Sequence, residues 1–349
     1  MEIVAPILRQ YAVDLDNAQV RNFGSGLINS TWKLREGDRK FILQKINEKV
    51  FSKPWLIERN VQLIGDYLKE HYPDYLFVYP VKSLRNEEMV FHEELGYFRM
   101  FPFVEGSSTF DVVETSGQAY EAARQFGRFT KLLSGFDASQ LKLTIPGFHD
   151  LSARYDSYLN ALHNGDHDRI RQSQDLIEAI SAHKNIVDDF EAIKTDSGFR
   201  IRVMHHDTKI SNVLFDEEER GLCVIDLDTV MPGYFISDVG DMMRTYLSPV
   251  SEEETDLEWI EVRDDFYMAI RAGYLEEMQD ELTQAEKEHF SYAGRFMIYM
   301  QALRFLTDHL MNDVYYGAKY EGHNYNRAAN QVRLLQCLVA KEKQLVRLA

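Results

Sequence analysis

Asp207 and Asn212 stand five positions apart just before a short apolar run, and a second apolar run ends fourteen positions after Asn212 in Asp226. The runs are Val213-Leu214-Phe215 and Leu222-Cys223-Val224-Ile225. Between them lies Asp216-Glu217-Glu218-Glu219-Arg220-Gly221, polar and closed by a turn-permitting glycine, so the pattern predicts an antiparallel hairpin. In such a hairpin the residue entering the first strand and the residue leaving the second lie side by side at the open end. Those residues are Asn212 and Asp226. An amide oxygen next to a carboxylate is the hard oxygen pair that Mg2+ prefers, with phosphate oxygens and water completing an octahedron. Asp207, on the same rim, adds a carboxylate that can accept a hydroxyl proton. One loop Asp is commonly a turn or cap residue. The joint pattern is what points to phosphoryl transfer.

The phrase His205-His206-Asp207-Thr208-Lys209-Ile210-Ser211-Asn212 carries the Asp-to-Asn spacing of the kinase catalytic loop, in which the Asp takes the hydroxyl proton and the Asn holds a metal ion. With it the chain resembles the aminoglycoside phosphotransferase-like kinases, small-molecule kinases of protein-kinase-like fold. Further phrases are similar to those of the N-acetylhexosamine 1-kinases within that group: Phe41-Ile42-Leu43-Gln44-Lys45-Ile46-Asn47, Val224-Ile225-Asp226-Leu227-Asp228-Thr229-Val230-Met231-Pro232-Gly233 and Arg304-Phe305-Leu306-Thr307-Asp308-His309-Leu310. The resemblance implies an α+β, bilobal fold, with a small β-rich N-lobe over residues 1–104 and a larger, mainly α-helical C-lobe over residues 105–349. It also implies ATP as co-substrate, Mg2+ on Asn212 and Asp226, and Asp207 as base. The acceptor would be the anomeric hydroxyl of an N-acetylhexosamine or related hexose. Asp228 would assist behind the metal or touch substrate, and Asp238 would anchor the catalytic-loop backbone, with His205 a structural neighbour.

The N-lobe candidates follow the same frame. Gly24-Ser25-Gly26 lies between residues of strand character, and its backbone amides can approach phosphates; an ordinary hairpin turn fits the same residues. The strand Lys40–Ile46 is where kinases carry a phosphate-pairing lysine. Alternation sends Gln44 and Lys45 to opposite faces, and Lys45 is the favoured candidate. Glu58, on a helix expected over 53–70, is a possible partner for it and equally a first-turn acid. Tyr97-Phe98-Arg99-Met100-Phe101-Pro102-Phe103-Val104-Glu105-Gly106 reads as a strand leaving the lobe. By resemblance it is the hinge that meets adenine, through Met100 and Phe101.

For the acceptor, Arg304 and Asp308 share a helix face one turn apart, and Tyr316 adds an aromatic ring suited to a sugar; an Arg/Asp pair at this spacing can also be purely structural. Composition sets outer limits. With 39 Lys and Arg against 56 Asp and Glu the net charge is −17, which disfavours nucleic acid and anionic membranes as partners. Two cysteines are too few for a disulfide framework, no stretch is long enough to span a bilayer, and a cytoplasmic protein is expected. Other readings are a kinase of choline, homoserine or aminoglycoside type, a haloacid-dehalogenase-type phosphatase using Asp226 and Asp228, and a nonenzymatic nucleotide-binding relic. The phosphatase leaves His205, Asp207 and Asn212 without a role, and a relic would be expected to have lost one of the three site residues.

Overall fold

Strand alternation builds the first lobe. The computed structural model describes residues 4–24 and 28–348, so Ser25 and Gly26 of the glycine loop lie outside the described residues. Strands β1 (Ala18–Asn22), β2 (Ser30–Glu36), β3 (Arg39–Lys45), β4 (Met89–His92) and β5 (Gly96–Pro102) form one antiparallel sheet in the order β1-β2-β3-β5-β4. Its outer face turns Leu34, Leu43, Phe98 and Met100 into a small core closed by Ile7, Leu8, Tyr11 and Val13. Its inner face turns Thr31, Ile42, Gln44, Arg99 and Phe101 toward a cleft. The helix Trp55–His71 packs Ile57, Val61, Ile64 and Leu68 into the main core, close to the span its periodicity predicts.

Beyond the crossover at Pro102 the chain is mainly helical. The Ser116–Leu132 helix begins in a Thr115/Gln118 capping box, which satisfies two backbone N–H groups that the helix start leaves open. It lies against the Asp264–Met278 helix at Gly273, where a Cβ would meet the Tyr120 carbonyl oxygen at 2.2 Å. Only glycine allows the two backbones to approach so closely. The Phe290–Leu310 helix is buried almost all round, against Phe235–Tyr246 and His323–Leu348.

Two small antiparallel ladders, the second of them a hairpin enclosed in sequence by the first, present the site. Strand β6 (Arg202–Met204) pairs with β9 (Met231–Gly233), and β7 (Val213–Phe215) pairs with β8 (Gly221–Val224) in the register Val213↔Val224 and Leu214↔Cys223. The loops 205–212 and 225–230 therefore emerge together under the N-lobe sheet. No helix among the described residues is long and apolar enough to cross a membrane.

Candidate active site

The loop 205–212 is anchored by two buried carboxylates on the Phe235–Tyr246 helix. Asp238 accepts the backbone N–H groups of His205 (2.9 Å) and His206 (2.8 Å), and Asp241 accepts that of Thr208 (2.8 Å). Burial pushes the Asp238 carboxyl up to about 7, opposed by those two hydrogen bonds. The Thr208 hydroxyl donates to the Asp238 carbonyl, and His205 Nε2 meets the Ile225 carbonyl at 2.9 Å, tying the loop to the neighbouring one. His206 adopts φ +65°, a turn that presents the next residue, Asp207, to the cleft. Asp207 keeps one oxygen occupied: Oδ2 accepts Asn212 Nδ2 at 3.1 Å and lies 3.2 Å from Lys209 Nζ. Burial opposes the Lys209 charge, but Asp207 and Asp241 outweigh it and hold its pKa up.

The hairpin argument places Asn212 and Asp226 correctly. Ile225 N–H donates to the Asn212 carbonyl at 2.8 Å, which sets Asp226 just beyond the open end of β7 and β8. Asn212 Nδ2 also donates to the Asp207 carbonyl, so its amide oxygen is the end left for a cation. Asp226 sits at φ +60°, a left-handed turn that Asp tolerates better than most residues, and its side chain is 37% exposed to the cleft. Burial first and the Asp228 charge second raise its carboxyl above the ordinary range, against the pull of Arg99. This set of hard oxygens with excess negative charge fits a divalent cation such as Mg2+.

Asp228 departs from its expected role in substrate contact. It is 2% exposed, Oδ1 lies 2.5 Å from Arg99 Nη1, and Oδ2 accepts Asn29 Nδ2 at 2.7 Å. Both oxygens are thereby turned into the N-lobe, away from an acceptor.

Strand parity corrects two nucleotide-side expectations. Lys45 and Met100 project from the outer face of the sheet: Met100 is buried in the small outer core, and Lys45 is absent from the cleft wall, where Gln44 stands instead. Leu43 decides the parity of β3 by filling the outer core, which forces its neighbour Gln44 inward. Phe101 does line the cleft, with Ile42, Phe103, Val104, Leu214 and Ile225 around it, an apolar slot suited to a flat base. Gly24, at φ +79°, borders the same space. Glu58 accepts the Met89 N–H at 3.0 Å and anchors β4, a local structural part rather than a partner for Lys45.

Of the pair expected to meet an acceptor, Arg304 lines the cleft and Asp308 has another task. The Asp308 carboxylate accepts the backbone N–H groups of Tyr315 (2.7 Å) and Tyr316 (2.8 Å) together with Asn324 Nδ2 (3.1 Å). It shapes the loop that brings the two tyrosines to the cleft, and its oxygens are not free for an acceptor. Arg304 donates to Gln301 Oε1 at 3.1 Å, and its guanidinium lies 5.5, 5.4 and 6.0 Å from the ring centroids of Phe148, Tyr316 and Tyr315. Below it, His149 Nδ1 meets His206 Nδ1 at 3.2 Å, so one imidazole donates and the other accepts. Sequence reasoning weighed Gln44 but favoured Lys45, and it missed Arg99 and Asn29, which the structure brings to the same place. A lone charge inside the apolar run Tyr97-Phe98-Arg99-Met100-Phe101 was the available signal for Arg99.

The histidine pair makes an acid-sensitivity test. Burial and the neighbouring His205 push His206 from its ordinary value down to about 4, and burial, His206 and Arg304 likewise depress His149. The unfolded chain thus takes up protons first as pH falls below about 6.5, so the stability these groups confer is intact above that pH and is lost on the way to about 4. His206 alone contributes a slope approaching about 1.4 kcal/mol per pH unit in that window. Urea midpoints at pH 7.5 and 5.0 should show this, with a smaller acid loss in His206→Asn. Equal acid sensitivity in the variant would count against the pair.

The cleft encloses about 2010 Å3 and runs from Phe101 and Gly24 at one end to Arg304 and Tyr315 at the other. That exceeds what one small ligand needs, roughly 300–1,000 Å3, and leaves room for two, with Asp207 among the lining residues. Comparison with known proteins agrees with this architecture. The model of a family described as "Phosphotransferase enzyme family" (APH) matches residues 19–279. Among solved structures, a microcompartment-associated aminopropanol kinase superposes with a TM-score of 0.67 at 16% identity, covering 99% of this chain and 98% of that one. A spectinomycin phosphotransferase in complex with ADP and spectinomycin gives 0.61 at 13% identity, covering 97% and 98%. The choline kinase LicA from Streptococcus pneumoniae gives 0.53 at 13% identity, covering 96% of each chain. At these identities the likeness is one of fold.

Proposed function

The chain belongs to the APH phosphotransferase enzyme family, and from that premise we propose that it uses ATP and Mg2+ to phosphorylate a hydroxyl of a small neutral molecule, most simply the anomeric hydroxyl of an N-acetylhexosamine or related hexose. The observation that carries the reading is Asp207 standing between an apolar, glycine-bordered slot and an Arg304-centred polar pocket, beside the Asn212 and Asp226 oxygens. Solved neighbours crystallised with ADP and a small acceptor support two-ligand use of such a cleft.

In this reading the purine lies between Ile42 and Phe101 on one side and Leu214 and Ile225 on the other. Asn212 and Asp226 would hold the Mg2+, which would offset the negative charge of the phosphates. Asp207 Oδ1, left over while Lys209 and Asn212 occupy Oδ2, accepts the acceptor's hydroxyl proton as its oxygen attacks the γ-phosphorus in line and ADP leaves. Arg304 argues against the choline-type alternative. Its guanidinium already occupies the faces of Phe148, Tyr315 and Tyr316 and would repel a quaternary ammonium, whereas sugar hydroxyls gain fixed donors from it.

The test is an acceptor panel, scored by acceptor-dependent ADP release and by phosphorus NMR of the product. A phosphate on the anomeric carbon of a hexose is expected. Product on choline, homoserine or an aminoglycoside would retain the kinase and refute the sugar, and release of inorganic phosphate without phosphoryl transfer to any acceptor would refute the kinase. Arg304→Ala should raise the sugar KM or lower kcat/KM by roughly 5- to 150-fold, the effect of about 1 to 3 kcal/mol from unpaired polar groups, with the Kd for ATP unchanged. Equal losses for sugar and nucleotide would move Arg304 out of the acceptor site.

A further inference from the structure

Strand β3 contributes no cation to the cleft lining, because Lys40, on the same face as Ile42 and Gln44, pairs with Glu105. Gln44 stands where kinases of this fold place a lysine that pairs with the nucleotide phosphates. Other cations around the cleft have tasks of their own: Lys209 pairs with Asp207, and Arg244 with Asp241 and Glu252. The Lys33 ammonium rests 3.3 Å from the centroid of Phe103, and Lys49 lines the cleft from an exposed turn after β3, off the inner face of the sheet.

Arg99 is different in kind. It lies directly opposite Gln44 in the β3–β5 register and is 3% exposed. Its Nε and Nη2 both donate to Gln44 Oε1, at 3.0 and 2.8 Å. Arginine carries donors only, so the Gln44 oxygen must face Arg99, and the amide nitrogen is left directed to the cleft. The third nitrogen, Nη1, lies 2.5 Å from Asp228 Oδ1. Asp228 Oδ2 in turn holds Asn29, at the end of the glycine loop, and Asn29 Oδ1 accepts the Asn47 N–H at 3.0 Å. One buried guanidinium thus links a β3 side chain, the loop that follows β8 and Asn29 just before β2.

We infer that Arg99, acting through Gln44 and through the Asp228–Asn29 link, takes the place of the β3 lysine as the cation behind the phosphate site. Arg99 is a positioning residue: it aims the Gln44 amide N–H groups at a phosphate oxygen and supplies positive charge one layer further back. The inference rests on the proposal that a nucleotide occupies this cleft, and a ligand ladder separates the two.

Calorimetric Kd values for adenosine, ADP and ATP, the latter two with Mg2+, are measured on the full chain. Wild type is expected to bind all three, with affinity rising as phosphates are added. Failure of wild type to bind any of them would remove the nucleotide reading and this inference with it. Gln44→Leu, a half-exposed position that leaves Arg99 intact, should weaken ADP and ATP by roughly 10- to 100-fold, the size of hydrogen bonds to charged groups, and leave adenosine unchanged. Arg99→Gln should do the same, and adding Gln44→Lys to Arg99→Gln should recover ATP affinity, because the charge has been returned to β3. A guanidinium serving only the fold would not be replaced by a lysine one strand away. ATP binding by Gln44→Leu equal to wild type overturns the inference. So does a double variant that binds adenosine normally yet ATP no better than Arg99→Gln. Should Arg99→Gln lose adenosine as well, through misfolding, Gln44→Leu alone decides.

Discussion

Asp207→Asn is expected to lower kcat by about 10²- to 10⁴-fold, the usual contribution of a positioned general base, while the Kd for ATP stays near that of wild type. The substitution is nearly isosteric, and the loop around it does not depend on the Asp207 side chain. Asp238 and Asp241 carry the backbone of His205, His206 and Thr208, and Tyr246 donates to the Thr208 carbonyl at 2.5 Å. The fold should therefore survive with an unchanged melting temperature. An amide cannot take the hydroxyl proton, and it also loses its attraction for Lys209. Turnover near the wild-type rate under saturating ATP and acceptor would eliminate Asp207 as the base and leave phosphoryl transfer without its proton acceptor.

A loss at least as large should follow Asp226→Ala, which is expected to reduce turnover roughly 10³-fold or more, since a metal ion provides several kcal/mol of transition-state charge stabilisation. Asn212→Ala should be milder and should show itself as a higher Mg2+ requirement, because a neutral amide oxygen contributes less than a carboxylate. The two residues meet only through the pairing of β7 with β8, so a shared dependence on Mg2+ tests the hairpin geometry as well as the chemistry. Titrating Mg2+ against activity in each variant separates the outcomes. If Asp226→Ala turns over normally at the wild-type Mg2+ optimum, the metal lies elsewhere. Asp228→Ala gives a useful contrast: its carboxylate is locked to Arg99 and Asn29, so its removal should disturb the N-lobe contacts and the melting temperature as well as the rate.

The hairpin that carries Asn212 and Asp226 was legible in the sequence because it is built from short-range rules. A polar turn between two short apolar runs specifies its own pairing, and pairing brings Asn212 beside Asp226 whatever the rest of the chain does. Helix periodicity likewise located Trp55–His71. The resemblance to aminoglycoside phosphotransferase-like kinases added the two-lobed arrangement, which the sheet and the helical lobe bear out.

What the sequence determined by itself, then, was that one short hairpin brings Asn212 and Asp226 to its open end, together with the class of fold that presents it. The tertiary structure decided which side chains actually face the cleft beside them. Parity along β3 and β5 hangs on whether Leu43 and Met100 fill an outer core, and that core exists only because Ile7, Leu8 and Tyr11 fold back across the sheet, a long-range event no window of β3 contains. Once they do, Lys45 and Met100 turn outward and Gln44 and Arg99 turn inward. Asp308 shows the same limit on a helix. Its spacing to Arg304 put both on one face, but the orphan N–H groups of Tyr315 and Tyr316, delivered by the chain reversal after Met311, claimed its carboxylate first. A buried carboxylate goes to the nearest unsatisfied donors, and only the folded chain says which those are.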